Sequence, residues 1–205
     1  IKKREEKHKN HLSKIPFSDL KAFGIILPKL PSNIQLHVSN SAAIRYTQLF
    51  SIDESISVFC NRGTSGIDGS TSTAIGAAVA SKQQTVLITG DISFLYDSNA
   101  LWNNYTPKNF KIIIMNNSGG GIFRILPGHE DNQAFNTYFE TQHSLTAEHL
   151  AKMYHYSYIV ANDEKTLQSG LKTLFENNER ATILEVFTPT NVNDKILNNY
   201  FKELN

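Results

Sequence analysis

The sequence is poor in cysteine and in long apolar runs, and it has no surplus of charge of one sign. The single Cys60 cannot form a disulfide within the chain, and its apolar neighbours predict a buried thiol in a reducing cytoplasm. The apolar runs are far shorter than the about 20 residues that a membrane span needs. The formal net charge of +1 does not indicate nucleic acid or an anionic membrane as a partner. We therefore expect an ordinary globular chain.

Several catalytic and metal-binding patterns are also absent. The sequence has no H-E-x-x-H, no cysteine pair for zinc and no G-x-S-x-G nucleophile motif. Its seven histidines show no ligand spacing, and we expect those late in the chain to lie at the surface or beside a site. They are His129, His143, His149 and His155. The first residue is Ile1 rather than methionine, so we expect these residues to be part of a longer protein.

Short apolar runs alternate with amphipathic stretches from Phe17 onward. The predicted strands cover residues 34–38, 57–60, 85–89, 110–115, 157–160 and 181–187. The predicted helices cover residues 18–30, 41–50, 71–81, 97–105, 145–154, 163–177 and 191–203. This alternation predicts an α/β fold with a doubly wound, mostly parallel six-stranded sheet and helices on both faces. We expect residues 18–205 to form one domain, and the charged residues 1–17 to form a linker or a solvated helix from a preceding domain.

Oxygen-bearing side chains follow two consecutive apolar runs. Asp91 follows the first, and Asn116 and Asn117 follow the second, just before a glycine-rich turn. Parallel strands would bring these residues to one edge of the sheet. Because carboxylate, amide and carbonyl oxygens are hard ligands, we predict a Mg²⁺ ion held by Asp91, Asn117 and a carbonyl near Gly119, with a diphosphate bound to it. Taken alone, each motif is also typical of a helix cap or a turn.

A second segment, rich in glycine and hydroxyl residues, follows the predicted strand 57–60. Residues 61–70 lead into an alanine-rich helix, whose first backbone N–H groups would attract an anion. The segment has one apolar residue, Ile67, which either fills the core or presents an apolar face to a ligand. The alternative is a plain loop with tight packing of the helix on the sheet.

A third segment, from Asn40 to Arg45, follows the predicted strand 34–38. Ser41 and Arg45 are four residues apart, so they would share one helix face near its start. The guanidinium of Arg45 could hold a carboxylate or a phosphate through two hydrogen bonds. Taken alone, Arg45 is equally well explained as a surface residue.

The long segment 119–144 lacks a clear periodicity, and such loops are often functional. It carries apolar residues that would be unfavourable in water unless they close over a ligand or a partner. They are Ile122, Phe123, Leu126 and Pro127.

These segments, in this order, resemble the thiamine diphosphate (ThDP) enzymes. Gly90-Asp91 and Asn116-Asn117 have the spacing of the family's cofactor signature, except that Ile92 replaces its second glycine. That departure is itself similar to one branch, the synthases that make 2-succinyl-5-enolpyruvyl-6-hydroxy-3-cyclohexene-1-carboxylate (SEPHCHC) in the menaquinone pathway. The matching segments are Gly90 to Leu101, Asn61 to Gly69, Asn116 to Phe123, and Asn40-Ser41-x3-Arg45.

The resemblance implies a role for each matching residue. Asp91, Asn117 and the Gly119 carbonyl would bind Mg²⁺ or Mn²⁺, and Ile67 would hold ThDP in a bent form. The residues implied to contact the cofactor are Ser65, Gly66, Ile67, Asp91, Ile92, Ser93, Asn117, Gly119 and Gly120. Those implied to line the substrate side are Ser41, Arg45, Arg62, Ile122, Phe123 and Leu126, with the arginines facing carboxylates.

The resemblance also implies a reaction and a partner. The family decarboxylates 2-oxoglutarate and adds the succinyl semialdehyde unit to isochorismate. Its activating glutamate belongs to a separate N-terminal pyrimidine-binding domain, supplied by a second subunit of a homo-oligomer, and no segment here matches that domain. We therefore expect residues 18–205 to be the diphosphate-binding domain, and the 205 residues to have no catalytic residue of their own and no activity alone.

Two other functions stay open at this point. The chain could serve another ThDP-dependent carboligase or 2-oxoacid decarboxylase, although Ile92 and the match at residues 61–69 argue against this. It could also be a non-catalytic regulatory domain that merely keeps the fold, although Asp91 and Asn117 are both retained.

Overall fold

A computed structural model describes residues 2–126, 128, 131–176 and 179–204 of the chain. Six parallel strands form one sheet in the order β2-β1-β3-β4-β6-β5. They are β1 (Gln35–Val38), β2 (Ser57–Phe59), β3 (Thr85–Gly90), β4 (Lys111–Asn116), β5 (Ser157–Ala161) and β6 (Thr182–Phe187). All six predicted strands and the predicted α/β class are therefore confirmed, with strand ends shifted by a single residue at most.

Helices connect these strands. They are α1 (Lys2–Lys14), α2 (Asp19–Ile26), α3 (Ala42–Thr47), α4 (Ser70–Ala80), α5 (Asp91–Tyr96), α6 (Ile122–Ile125), α7 (Glu148–Met153), α8 (Glu164–Glu176) and α9 (Asn193–Leu204). The predicted helices 41–50 and 145–154 are present in shorter form as α3 and α7. No helix in the described part of the chain is long and apolar enough to cross a membrane.

The prediction of an α-helix over residues 97–105 is wrong. The helix in this region begins at Asp91 and ends at Tyr96, and only a short 3₁₀ turn follows it. The reason is the Asp97 carboxylate, which accepts hydrogen bonds from the backbone N–H and the hydroxyl of Ser72 at 2.7 and 2.5 Å. These bonds fix the chain against the start of α4 at the point where the helix would otherwise continue.

Alternate strand residues pack on opposite faces of the sheet, as period-2 strands require. In β3, Val86 and Ile88 pack with α2, α3, α8 and α9, whereas Leu87 packs with α4, α5 and α7. In β4, Ile113 and Ile112 are divided between the two faces in the same way. The central strands are thus buried on both sides, which holds their carboxyl ends in place.

Residues 2–14 form the helix that was one of the two alternatives predicted for this segment, but the helix is not fully solvated. His11 is buried, and its Nδ1 lies 2.8 Å from Glu203 Oε2 of α9. Lys7 Nζ donates to the Glu203 carbonyl at 2.9 Å. Few apolar residues are needed for this contact, which explains why the sequence showed no apolar periodicity. That residues 1–17 come from a preceding domain stays a prediction.

Strand β2 forms one edge of the sheet, and its side chains are exposed in this chain. Val58 and Phe59 are 43% and 46% exposed, although they lie in an apolar run. Cys60, just after them, is half-buried rather than fully buried as predicted, and its thiol donates to Asn40 Oδ1 at 3.4 Å. Partial burial raises the pKa of the Cys60 thiol, which makes it less reactive.

Candidate functional site

A cavity of about 430 Å³ opens at the carboxyl ends of β1, β3 and β4. The residues that follow these strands, Ser41, Asp91 and Asn117, all line it. The strand order reverses here, because β2 lies on one side of β1 and β3 on the other. Such a switch point is where open parallel sheets bind ligands. The adjacency predicted for Asp91 and Asn117 therefore follows from the pairing of β3 with β4.

Every residue predicted to contact the cofactor lines this cavity. They are Ser65, Gly66, Ile67, Asp91, Ile92, Ser93, Asn117, Gly119 and Gly120. The substrate-side residues are divided, since Ser41 and Phe123 line the cavity whereas Arg45, Arg62, Ile122 and Leu126 are not among its described lining residues. Their roles therefore stay predictions.

Asp91 is buried and is held by backbone donors on both sides. Its Oδ1 accepts the N–H of Ile92 at 2.7 Å, and its Oδ2 accepts the N–H of Gly119 at 3.0 Å. His143 Nε2 lies 3.2 Å from the same Oδ2, and this contact raises the pKa of His143. His143 thus lies beside the site, as predicted. The carboxylate is fixed in one orientation at the mouth of β3.

Asn117 presents an amide oxygen with no protein partner. Its Nδ2 donates to Asp19 Oδ2 at 2.8 Å. Its Oδ1 is buried, and no described residue donates a hydrogen bond to it. A buried polar atom without a partner is unfavourable unless a ligand satisfies it. Asn117 Oδ1 therefore suits a bound cation.

Gly119 supplies a third oxygen and needs to be glycine. Its φ is +154°, and a Cβ at this position would lie 2.7 Å from the Glu140 carbonyl oxygen. Its own carbonyl accepts the N–H of Gly121 at 3.0 Å, which leaves a second lone pair available. The carboxylate, amide and carbonyl oxygens predicted for Mg²⁺ thus come together at one place.

Asp19, at the start of α2, lines the cavity, although no sequence motif pointed to it. It is 2% exposed, and its Oδ1 accepts the hydroxyl of Thr188 at 2.5 Å. Burial raises the pKa of Asp19 to about 6, against the opposing effect of the hydrogen bonds from Thr188 and Asn117. The sequence placed Asp19 only in the first turn of a helix, where acidic residues are common.

Asn40 is a second residue whose importance only the structure shows. It is buried, and its Nδ2 donates to the carbonyls of Asn61 and Gly66, both at 2.7 Å. Its Oδ1 accepts from Arg62 Nη1 at 2.8 Å. Asn40 therefore ties the glycine-rich segment 61–70 to the end of β1. This segment is thus more than a plain loop, because Ile67 is brought to the cavity.

Strained backbone is concentrated around the cavity. Among the described residues, Ser41, Ser65, Ser118 and Thr141 have φ between +53° and +69° without being glycine. Three of them line the cavity, and Ser118 stands between Asn117 and Gly119. Such conformations cost about 1–3 kcal/mol each and are typical of functional sites.

The loop 119–144 is more ordered than its sequence predicted. It contains α6 and a π-helical turn at residues 135–139, and Glu140 is completely buried. Arg124 donates from Nε and Nη2 to both carboxylate oxygens of Glu140, and this pairing raises the pKa of Arg124. Of the apolar residues predicted to close over a ligand, Phe123 lines the cavity, whereas Ile122 and Leu126 are not among its described lining residues and Pro127 lies outside the described residues. Tyr138 and Phe139 of the same loop also line the cavity.

The two arginines of the substrate side differ in their surroundings. Arg62 is held by Asn40. Arg45 lies on the exposed side of α3, and no hydrogen bond or ion pair engages its guanidinium in the part of the chain that the structure describes. It is available to bind an anion.

Comparison with known proteins decides the family. A profile described as thiamine pyrophosphate enzyme, C-terminal TPP binding domain, matches residues 41–186. The chain belongs to this family. The predicted resemblance and the predicted cofactor class are thereby confirmed.

Three relatives of the chain share one name. It is 70% identical to the 2-succinyl-5-enolpyruvyl-6-hydroxy-3-cyclohexene-1-carboxylate synthase of Flavobacterium psychrophilum, over 100% of this chain and 37% of that protein. The synthases of Flavobacterium johnsoniae and Bacteroides fragilis are 67% and 43% identical, over 98% and 93% of the chain and 36% and 35% of those proteins. The chain therefore spans about a third of the length of the curated relatives it matches.

A solved structure shows the same fold. The ThDP-dependent 4-hydroxybenzoylformate decarboxylase of Rhodococcus jostii aligns with a TM-score of 0.67, over 85% of this chain and 33% of that one. The sequence identity is 22%, so this likeness concerns the fold alone. It confirms the predicted fold of a ThDP-binding domain.

Proposed function

We propose that this chain is the domain that binds Mg²⁺ and the diphosphate of ThDP in a SEPHCHC synthase. The synthase would decarboxylate 2-oxoglutarate and add the succinyl semialdehyde unit to isochorismate in menaquinone biosynthesis. The observation that carries the metal site is the buried Asn117 Oδ1, which has no donor among the described residues and belongs to the same cavity as Asp91. The 70% identity to a protein of that name supports the reaction.

The protein ligands are too few to hold a metal by themselves. No group of three or more His, Cys, Asp or Glu among the described residues could bind one. Asp91, Asn117 and the Gly119 carbonyl would supply three oxygens, whereas Mg²⁺ requires six. The diphosphate and water would supply the others, so the metal and the cofactor should bind together.

The residues of the chain would position the cofactor and keep water away from it. When bound, ThDP supplies the nucleophilic carbon and stabilises the charge left by the loss of CO₂. Ile67 would press against the cofactor from the glycine-rich segment. Phe123 and Phe139, which line the cavity from the loop 119–144, would exclude water.

The proposed partner is the pyrimidine-binding domain of a second subunit in a homo-oligomer. Among the described residues that line the cavity there is no glutamate, so the activating acid must come from elsewhere. Aromatic residues at the rim are strongly exposed: Tyr96 by 69%, Tyr138 by 80% and Phe139 by 58%. A partner domain placed over this rim would cover them.

The proposed substrates suit the substrate side of the cavity. Both 2-oxoglutarate and isochorismate are carboxylates, and the unpaired Arg45 could hold one of them through two hydrogen bonds. A reducing cytoplasmic location belongs to the same proposal. It is supported by the single Cys60, which is a free thiol in this structure.

Calorimetry on the full-length enzyme tests the metal site. We expect ThDP to bind tightly with Mg²⁺, and Asp91→Asn to weaken Mg²⁺ binding at least about 100-fold, because removing a charge a few Å from a divalent cation costs several kcal/mol. Asp97→Asn is the matched control, since Asp97 is also buried, at the other end of α5, but bonds to Ser72 outside the cavity. If the chain were a non-catalytic regulatory domain that merely keeps the fold, none of these proteins would show metal-dependent binding of ThDP.

Turnover identifies the reaction. We expect the full-length enzyme to consume isochorismate and 2-oxoglutarate together, with release of CO₂. Release of CO₂ from 2-oxoglutarate or another 2-oxoacid at the same rate without isochorismate would instead favour a simple decarboxylase. ThDP and Mg²⁺ are present at saturation in both assays, so the comparison concerns the substrates alone.

A further inference from the structure

Asp19 is a buried carboxylate beside the metal site that the proposed ligand set does not use. Both of its oxygens accept hydrogen bonds, Oδ1 from the Thr188 hydroxyl at 2.5 Å and Oδ2 from Asn117 Nδ2 at 2.8 Å. Its backbone N–H donates to Asn193 Oδ1 at 2.8 Å, which fixes the start of α2. Because Asp19 Oδ2 accepts from Asn117 Nδ2, Asp19 is placed to act on the predicted metal ligand Asn117.

The orientation of the Asn117 amide decides whether it can bind a cation. The oxygen and nitrogen ends of an asparagine amide have nearly the same shape, but only the oxygen end can coordinate a metal. A carboxylate accepts hydrogen bonds and does not donate them, so it selects the nitrogen end of the amide. With Asn117 Nδ2 bound to Asp19, Oδ1 is left at the other end, buried and without a donor among the described residues.

The surroundings hold this arrangement in place. Thr188, which follows β6, keeps the Asp19 carboxylate turned so that its second oxygen meets Asn117. A Cβ at Gly121 would lie only 3.1 Å from Asn117 Nδ2, so the glycine-rich turn also packs closely against the amide. The amide is therefore enclosed and has little room to swing away from Asp19.

We propose that Asp19 is the positioning residue that turns the oxygen of Asn117 toward Mg²⁺. This role rests on the proposed metal site and adds to it a residue outside the segment 41–186 that the family profile matches. Asp19 touches neither the metal nor the cofactor in this arrangement. It contributes by ensuring that Asn117 meets the cation with the correct end of its amide.

The single variant Asp19→Asn should reverse which end of the Asn117 amide faces position 19. The Thr188 hydroxyl would still donate to the oxygen of the new side chain, whose NH₂ group would then face Asn117. Asn117 would have to accept with Oδ1 and turn its own NH₂ toward the cation. We expect Mn²⁺ affinity, measured by electron paramagnetic resonance on the full-length enzyme with saturating ThDP, to fall about 10–100-fold, as is usual when a group that orients a metal ligand is lost.

The double variant Asp19→Asn with Asn117→Asp restores a workable pair. The new amide at position 19 can donate to one oxygen of the carboxylate at position 117, and the other oxygen remains for the cation. We expect this exchanged pair to bind Mn²⁺ at least about 10-fold more tightly than Asp19→Asn alone. It would thereby regain much of the Mn²⁺ affinity that Asp19→Asn loses through the misoriented ligand. Asn117→Asp alone, which adds the same negative charge beside the cation, is the control for the electrostatic gain of that carboxylate.

Controls separate this role from the metal site itself. Asp97→Asn should bind Mn²⁺ like the wild type, and Asp91→Asn should bind it weakly. Asp19→Ala, which leaves the Asn117 amide without a partner, should also lose affinity and serves if Asp19→Asn does not fold. Circular dichroism confirms the fold of each variant.

The outcomes distinguish the two proposals. Wild-type affinity in Asp19→Asn or Asp19→Ala, together with weak binding by Asp91→Asn, would overturn the role of Asp19 and leave the metal site intact. An exchanged pair that binds no better than Asp19→Asn would do the same. If the wild type binds no Mn²⁺ with ThDP, or Asp91→Asn binds as well as the wild type, the proposed metal site is overturned, and the role of Asp19 with it.

Discussion

The two sides of the cavity are built from different kinds of structure. On the cofactor side, Asp91 and Asn117 follow directly on β3 and β4, which pair with each other at the centre of the sheet. On the substrate side, Arg45 stands on a helix of six residues, and Arg62 on a turn near the edge strand β2. The hydrogen-bonded register of the sheet fixes the positions of residues at strand ends. The positions of residues on short surface elements depend instead on what packs against those elements. The predicted metal ligands are therefore held by the centre of the sheet, whereas the two arginines are held by short surface elements.

The largest expected effect tests that contrast directly. The isolated chain, supplied with ThDP and Mg²⁺, should show no turnover of 2-oxoglutarate and isochorismate, because in the proposed function a second domain supplies the activating glutamate and the rest of the pocket. The same assay on the full-length enzyme is the control. Turnover by the isolated chain above that of its Asp91→Ala variant would show that the site is complete here after all.

Breaking the Arg124–Glu140 pair should open the loop that joins the two sides. Arg124→Gln leaves the buried Glu140 carboxylate without its cation, which costs about 3–5 kcal/mol for a buried pair. Because Gly120 N–H donates to the Glu140 carbonyl at 2.6 Å, we expect faster hydrogen exchange at Gly120 in the full-length protein. The exposed Arg180→Gln is the control, and unchanged protection at Gly120 in Arg124→Gln would count against this role.

Removing the Asn40 side chain should loosen the segment that carries Ile67. Asn40→Ala deletes three hydrogen bonds with nitrogen donors and a weak one from the Cys60 thiol. At about 1 kcal/mol for each of the three, we expect a loss of about 3 kcal/mol in unfolding free energy, together with weaker ThDP binding. Asn40→Asp keeps the acceptor for Arg62 but cannot donate to the carbonyls of Asn61 and Gly66. If Asn40→Asp binds ThDP like the wild type, the two carbonyl contacts are unimportant.

Arg45→Ala should separate the substrate side from the cofactor side. We expect KM for one carboxylate substrate to rise about 10–100-fold, since a charge-assisted hydrogen bond contributes about 1.5–3 kcal/mol. ThDP affinity, measured by calorimetry, should stay within about twofold of the wild type, because Arg45 is not among the described residues that line the cavity with the predicted metal ligands. A loss of ThDP affinity as large as the rise in KM would contradict the placement of Arg45 on the substrate side. Arg45→Lys should recover only part of the effect.

The smallest effect concerns His37 in β1, the strand that pairs with the edge strand β2. Burial lowers the pKa of His37 in β1 below its ordinary value of 6.5, so the unfolded chain binds a proton more readily than the folded one. Stability contributed by neutral His37 should therefore be present above about pH 6.5 and be lost as the pH falls below it. Urea unfolding at pH 7 and pH 5 should show a smaller pH-dependent loss in His37→Gln than in the wild type.

The pattern of the sequence determined the fold and the cofactor side. The central strands are apolar on both faces, so their positions could be predicted from the apolar runs of the sequence. Residues that directly follow such parallel strands must meet at one edge of the sheet. Asp91, Asn117 and the glycine-rich turn that follows Asn117 could therefore be assigned from the order of residues along the chain. The prediction of a helix at residues 97–105 was wrong because the periodicity of a sequence does not show a side-chain contact such as that of Asp97 with Ser72 of α4.

Only the tertiary structure decided which residues support the site. Asp19 and Asn193 lie 174 positions apart in the chain yet are hydrogen-bonded, and Asp19 reaches Asn117 from a helix that precedes the first strand. No local pattern distinguishes such an aspartate from an ordinary first-turn acid. The sequence by itself determined which oxygens could bind a metal. The packing of α2 against the ends of β4 and β6 decided which way the amide of Asn117 is turned, because a buried hydrogen bond depends on what the fold brings within reach.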